Sequence, residues 1–193
     1  MNRLSQLGYV VAALIVPLAV AACSSATPDS AAVVNGQAVP MRFYDSMVTV
    51  SKRRAEEVGI PIVWDSEAGA QRLNAIQTGT IKRLVQNAVV EQVAKQRAVT
   101  VSDTDLDASI GKIEVAFGGP TAVAQRLKQN GMSQSDFREL YRYFLLDQKL
   151  RQADPSGYQA ALDQAIKTAK VQVFVAPCTV EHDYDKCVGT SAQ

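Results

Sequence analysis

Asp103, Asp105, Asp107 and Glu114 fall at a spacing that could hold a calcium ion. The order D-x-D-x-D-x6-E is that of a helix–loop–helix cation loop, and Ile110 falls where such loops carry an apolar residue. Two features argue against that chemistry. The sixth position is Ala108, where the sharp turn wants glycine. More decisively, Leu106, Ile110, Ile113 and Phe117 keep helical spacing straight through the loop. Carboxylates in a first helical turn complement the helix dipole and need no metal. The expected element is a helix that starts after Ser102, a good N-cap.

A second constellation lies near the C-terminus. Cys178-x3-His182-x4-Cys187, with Asp183 or Asp185, has the residue types of a metal site but no helix or knuckle to preorganise it. In an oxidising compartment the two cysteines are expected to form a disulfide that staples a short interval. A C-x-x-C redox pair is absent. His182 is the only histidine, and no G-x-S-x-G accompanies it. The sequence therefore predicts no catalytic residue, no metal and no cofactor: the chain is not expected to be an enzyme.

The compartment is read from the N-terminus. Arg3 supplies a positive start, and Leu7 to Val20 form an apolar run too short for a comfortable membrane span. The run closes with Leu18-Ala19-Val20-Ala21-Ala22-Cys23, which looks like a bacterial lipobox. That resemblance implies cleavage before Cys23 and its lipidation. The alternative is an ordinary signal peptide cut after Ala22, which leaves Cys23 incidental. Multiple lipid chains would hold the protein firmly to the extracytoplasmic face of the cell membrane. The expected division is a lipoprotein signal peptide over 1–22, a flexible tether over 23–31, a helical domain over 32–175 and a C-terminal tail over 176–193.

The elements that position these residues are mainly helical. Low aromatic and high alanine content favours helices over sheet. Asn35-Gly36 between apolar residues predicts a hairpin. Pro40 opens a helix with Phe43, Met47 and Val50 inward, and Gly59 ends it. Ser66 starts a long helix carrying Leu73, Ile76, Ile81, Leu84, Val85, Ala88, Val89 and Val93. Pro120 suits the first turn of a short helix closed by Gly131. Ser133 caps the next helix, with Phe137, Leu140, Phe144, Leu145 and Leu150 on its stripe. Tyr158, Leu162 and Ile166 mark one more helix. The strand-like VQVFV is expected to pair with VVNGQAV, so that a small β element joins the two ends. The tail after Pro177 has low structural promise.

This order of signals resembles the SurA N-terminal-domain family. AVVNGQAVPMRFYDSMV is similar to its opening strand-turn and helix. VVEQVAKQRAVTVSDTDLDASIGKI is similar to its segment in which a helix ends, a short turn follows and the next helix starts acidic. AFGGPTAVAQRLKQNGMSQSDFRELYRYFLLDQKL is similar to its next run. The resemblance covers about residues 32–152 and implies a helical module like trigger-factor C-terminal regions and foldase lipoproteins, holding unfolded polypeptide outside the cytoplasm. Such proteins usually carry a parvulin prolyl-isomerase domain. Nothing after Arg151 supplies one, so the chain is expected to lack isomerase activity.

A chain that holds clients must show apolar area which its own core leaves unfilled. Met41, Tyr44, Trp64, Met132, Tyr141 and Tyr143 lie beside the inferred stripes and are the candidate client-binding residues. Each could equally complete the core. Lys52-Arg53-Arg54 with Glu56-Glu57 reads as a solvated helix face with a Lys52–Glu56 pair. Without Arg3 the charges balance at 19 basic against 19 acidic, which gives no footprint for nucleic acid. The expected partners are unfolded or nascent envelope polypeptides. The rival is an assembly lipoprotein that grips one folded envelope partner.

Overall fold

Three serines mark where the main helices begin. Each accepts a hydrogen bond from the backbone N–H three residues on: Ser66 from Gly69 at 3.1 Å, Ser102 from Asp105 at 3.1 Å, Ser133 from Asp136 at 3.0 Å. That satisfies one otherwise unpaired donor per helix. The structure, a computed structural model, describes residues 29–57, 61–179 and 182–188. The signal segment, the lipidation candidate Cys23 and the helix-ending Gly59 lie outside these residues.

The elements run β1 (Ser30–Val34), β2 (Gln37–Pro40), α1 (Met41–Glu57), α2 (Glu67–Gln96), α3 (Asp103–Ala116), α4 (Pro120–Gln129), α5 (Gln134–Ala153), α6 (Tyr158–Thr168), β3 (Val171–Val173) and α7 (Tyr184–Val188). The fold is mainly helical with one three-stranded antiparallel sheet in the order β2-β1-β3. Asn35 and Gly36, at φ 50° and 83°, make the β1–β2 turn, which needs two left-handed residues. Ala32 faces Val173, and Phe174 N donates to Ala31 O at 2.9 Å, so the C-terminal strand closes on the N-terminal one.

The 30-residue α2 is the axis. Its second half buries Ile81, Leu84, Val85, Ala88, Val89, Val90 and Val93, and it packs against α1, α5, α6 and the sheet. Leu150 of α5, Leu162 of α6 and Val34 of β1 are wholly buried against it. Each such side chain is worth roughly 1.5–3 kcal/mol of transfer free energy.

Four expectations are corrected. The domain begins at Ser30, not after residue 31: Ser30 and Ala31 are buried in β1 and belong to the sheet rather than to a tether. The described part of the C-terminal segment, through residue 188, carries structure: a Cys178–Cys187 disulfide with its Cα atoms 5.3 Å apart, the helix α7, and a buried Val188. Phe117, expected on the buried stripe, instead caps the end of α3 at 49% exposure, where the Arg126 guanidinium of α4 lies over its ring. Lys52 and Glu56 do not pair with each other. Both engage Trp64 instead: Lys52 Nζ sits 4.7 Å from the ring, and the indole N–H donates to Glu56 at 2.8 Å.

Candidate binding groove

The stripes of α1, α2 and α5 do not meet along their whole length. Arg42 and Ser46 tie the start of α1 to the start of α5 through Asp136. Thr49 lies against Gly131, whose φ of 73° and missing side chain allow that approach; a Cβ there would stand 2.7 Å from Thr49 Cγ2. Beyond this junction a groove of about 680 Å³ opens between the three helices.

Its apolar lining is Met47 and Val50 from α1, Ile76 and Val90 from α2, and Leu140 and Phe144 from α5, with Met132 in the α4–α5 turn. Phe144 is 49% exposed although it lies on the helical stripe of α5, so it is a groove residue rather than a core residue. The α2 wall also offers Thr80, Gln86 and Asn87. Arg54 and Arg83 line the same groove, and neither has an ion pair among the described residues. The lining acid is Asp147, which accepts from Arg151 Nε at 2.8 Å and from the Tyr158 hydroxyl.

The six proposed client-binding residues separate. Met132 and Tyr143 line the groove. Tyr143 also borders a second, charged depression of about 390 Å³ with Glu91, Arg138 and Arg142, so it forms the partition between the two. Burial pushes the Tyr143 hydroxyl up to about 12, helped by the charges of Glu91 and Glu139. Tyr141 stacks between Phe137 and Phe144, with centroids 5.7 and 5.3 Å away, and so supports a groove residue from behind. Met41 packs on the core. Tyr44 is only 7% exposed and donates to Ala176 O at 2.8 Å; it is a core residue. Trp64 is held on the α1–α2 loop by Glu56 and Lys52, away from the groove.

Three of the four carboxylates considered for calcium are spent on α5. Asp103 accepts from Arg142 at 2.6 Å and Asp105 from Lys149 at 2.7 Å, while Asp107 pairs with Arg138. Hydrogen bonds from Arg142 and Lys149 hold the first two below the usual aspartate value. His182 Nδ1 lies 2.8 Å from Val173 O, and its ring packs on Phe174. Among the described residues no cluster of His, Cys, Asp or Glu is placed to hold a metal ion. No helix among them is long and apolar enough to cross a membrane.

Sequence reasoning missed Phe144, Leu140, Val50 and Ile76 as groove residues because their periodicity is that of core. The sequence model of the family described as SurA-like N-terminal domain matches residues 4–151 of the chain. No curated protein matches it, and no solved structure does.

Proposed function

The chain belongs to the SurA-like N-terminal domain family, and from that premise we propose that it holds unfolded or partly folded polypeptide in the groove between α1, α2 and α5. One observation carries the reading: Val50, Ile76, Leu140 and Phe144 leave open an apolar floor that no side chain among the described residues fills. Side chains of a client would be desolvated there at about 25 cal/mol per Å² of apolar surface. The work is adhesion, with no bond made or broken and no prolyl isomerisation.

In this reading the protein stands on the extracytoplasmic face of the membrane through lipid on Cys23. The apolar run ending in Leu18-Ala19-Val20-Ala21-Ala22-Cys23 supports that anchor. Replacing Cys23 with serine should move the protein from the membrane to the soluble fraction, and retention at the membrane would end the claim.

The holding function is tested by light scattering from an unfolded client diluted into buffer. The protein, at micromolar concentration, should suppress aggregation in proportion to its amount. Unchanged scattering would remove the proposal.

The α2 wall favours a second reading. Gln86 and Asn87 could hydrogen-bond a folded envelope partner, since a polar interface suits a folded surface better than a disordered one. Crosslinking in the native envelope separates the two: one recurrent product supports the folded partner, and many products support client holding.

A further inference from the structure

We propose that the groove selects segments in which acidic side chains flank an apolar run; this rests on the groove being the client site. The argument is the distribution of guanidinium groups. Arg42, Arg97, Arg138, Arg142 and Arg151 each engage a carboxylate of this chain. Arg53, Arg54, Arg72, Arg83 and Arg126 do not, among the described residues; of these, Arg54 and Arg83 line the groove, both exposed, one from α1 and one from α2. The groove's own acid, Asp147, is already occupied by Arg151 and Tyr158. Among the described residues the groove therefore presents two cations without a carboxylate partner beside an apolar floor, with its anion compensated.

A guanidinium fork matches a carboxylate, donating two parallel N–H hydrogen bonds that the carboxylate oxygens accept. In open water such a pair is weak. Beside a floor covered by apolar client side chains the local dielectric falls and the pair strengthens. Opposite signs also attract the segment before it docks, whereas lysine-flanked segments are repelled. Apolar contact would supply the binding, and Arg54 with Arg83 the choice of segment.

The test uses three short peptides with blocked termini, one neutral dye and the same apolar run, flanked by Asp, Asn or Lys. Fluorescence anisotropy is read at about 0.05 M and about 0.5 M salt. The Asp peptide should bind about tenfold tighter than the Asn peptide at low salt and the Lys peptide weakest, with the spread collapsing at high salt. In the R54Q/R83Q double variant, checked for helicity by circular dichroism, the Asp and Asn affinities should converge. Equal affinity for all three peptides would overturn the acidic preference while leaving the groove as the client site. Failure of every peptide to bind would remove the client site itself. A dimer that Phe144→Glu dissociates would make a second copy the occupant and overturn the proposal.

Discussion

Arg42 of α1 donates from Nε to the Asp136 carboxylate of α5 at 2.9 Å, and that contact joins the two helices at the closed end of the groove. The partners are unequal. Asp136 is buried and also receives the hydroxyls of Ser133 at 2.7 Å and Ser46 at 3.5 Å, whereas Arg42 is half exposed and also reaches Glu139. Removing the carboxylate leaves the buried Ser46 hydroxyl without this acceptor and breaks the Arg42 pair; removing the guanidinium leaves an acid with other donors. Asp136→Ala should cost about 2–3 kcal/mol and Arg42→Ala about 1 kcal/mol in urea denaturation. Equal costs would show that the hydroxyls contribute nothing.

Acid should loosen α3 from α5. Hydrogen bonds from Arg142 and Lys149 keep Asp103 and Asp105 below the ordinary value of 3.8 in the folded protein. A lowered folded pKa means stability that is present above the ordinary value and lost as pH falls through the lowered one. The urea midpoint should therefore drop as pH falls below about 4, and less so in high salt, which screens these exposed pairs. Calcium should leave the melting temperature unchanged, because the three aspartates already face Arg142, Lys149 and Arg138. A calcium-induced rise would restore the cation-loop reading.

Alkali acts on a different group. Burial raises the Tyr143 hydroxyl to about 12, so the folded protein resists its ionisation. A raised folded pKa gives stability that is fully present below the unfolded value near 10 and lost as pH rises toward 12. Phenolate absorbance should show a tyrosine titrating late, and Tyr143→Phe should remove that step. A step that survives the substitution would belong to Tyr158, Tyr44 or Tyr184, whose hydroxyls burial also pushes upward.

The Cys178–Cys187 disulfide closes a separation of nine residues and pins α7 where Val188 is buried. Paired replacement by alanine should lower stability by about 2–3 kcal/mol on the loop-entropy scale. Amide exchange should rise first at α7 and β3, since Val173 N donates to His182 O at 3.0 Å. Uniform exchange across the chain would show that the bridge acts on the whole domain instead.

Much of the fold was legible because its signals are local. Ser66, Ser102 and Ser133 each satisfy a donor three residues away, and Asn35-Gly36 needs only its own turn geometry. The groove was not legible, because helical periodicity says which residues share a face and not whether another helix reaches that face. Phe144 and Leu145 are sequence neighbours, yet Leu145 meets the core and Phe144 meets the groove. Tyr44 is fixed by Ala176, 132 residues away, which no window could include. The Lys52–Glu56 pair failed for a nearer reason: Trp64, on the loop that follows, competes for both groups.

Gly79 offers a way to close the groove without disturbing what builds it. It lies inside α2 and lines the groove, and a Cβ built on it meets nothing within 4 Å. A side chain there would extend into the space a client would occupy. Glycine in a helix interior also costs about 0.8–1 kcal/mol relative to alanine, so Gly79→Leu should stabilise the fold by about 0.5–1 kcal/mol. Client holding, read by light scattering, should meanwhile fall several-fold. Most groove substitutions confound lost binding with lost folding, whereas here the two effects have opposite signs. Thermal melting and scattering on the same preparation therefore decide the matter: a more stable Gly79→Leu protein that still suppresses aggregation fully would place the client elsewhere on the molecule.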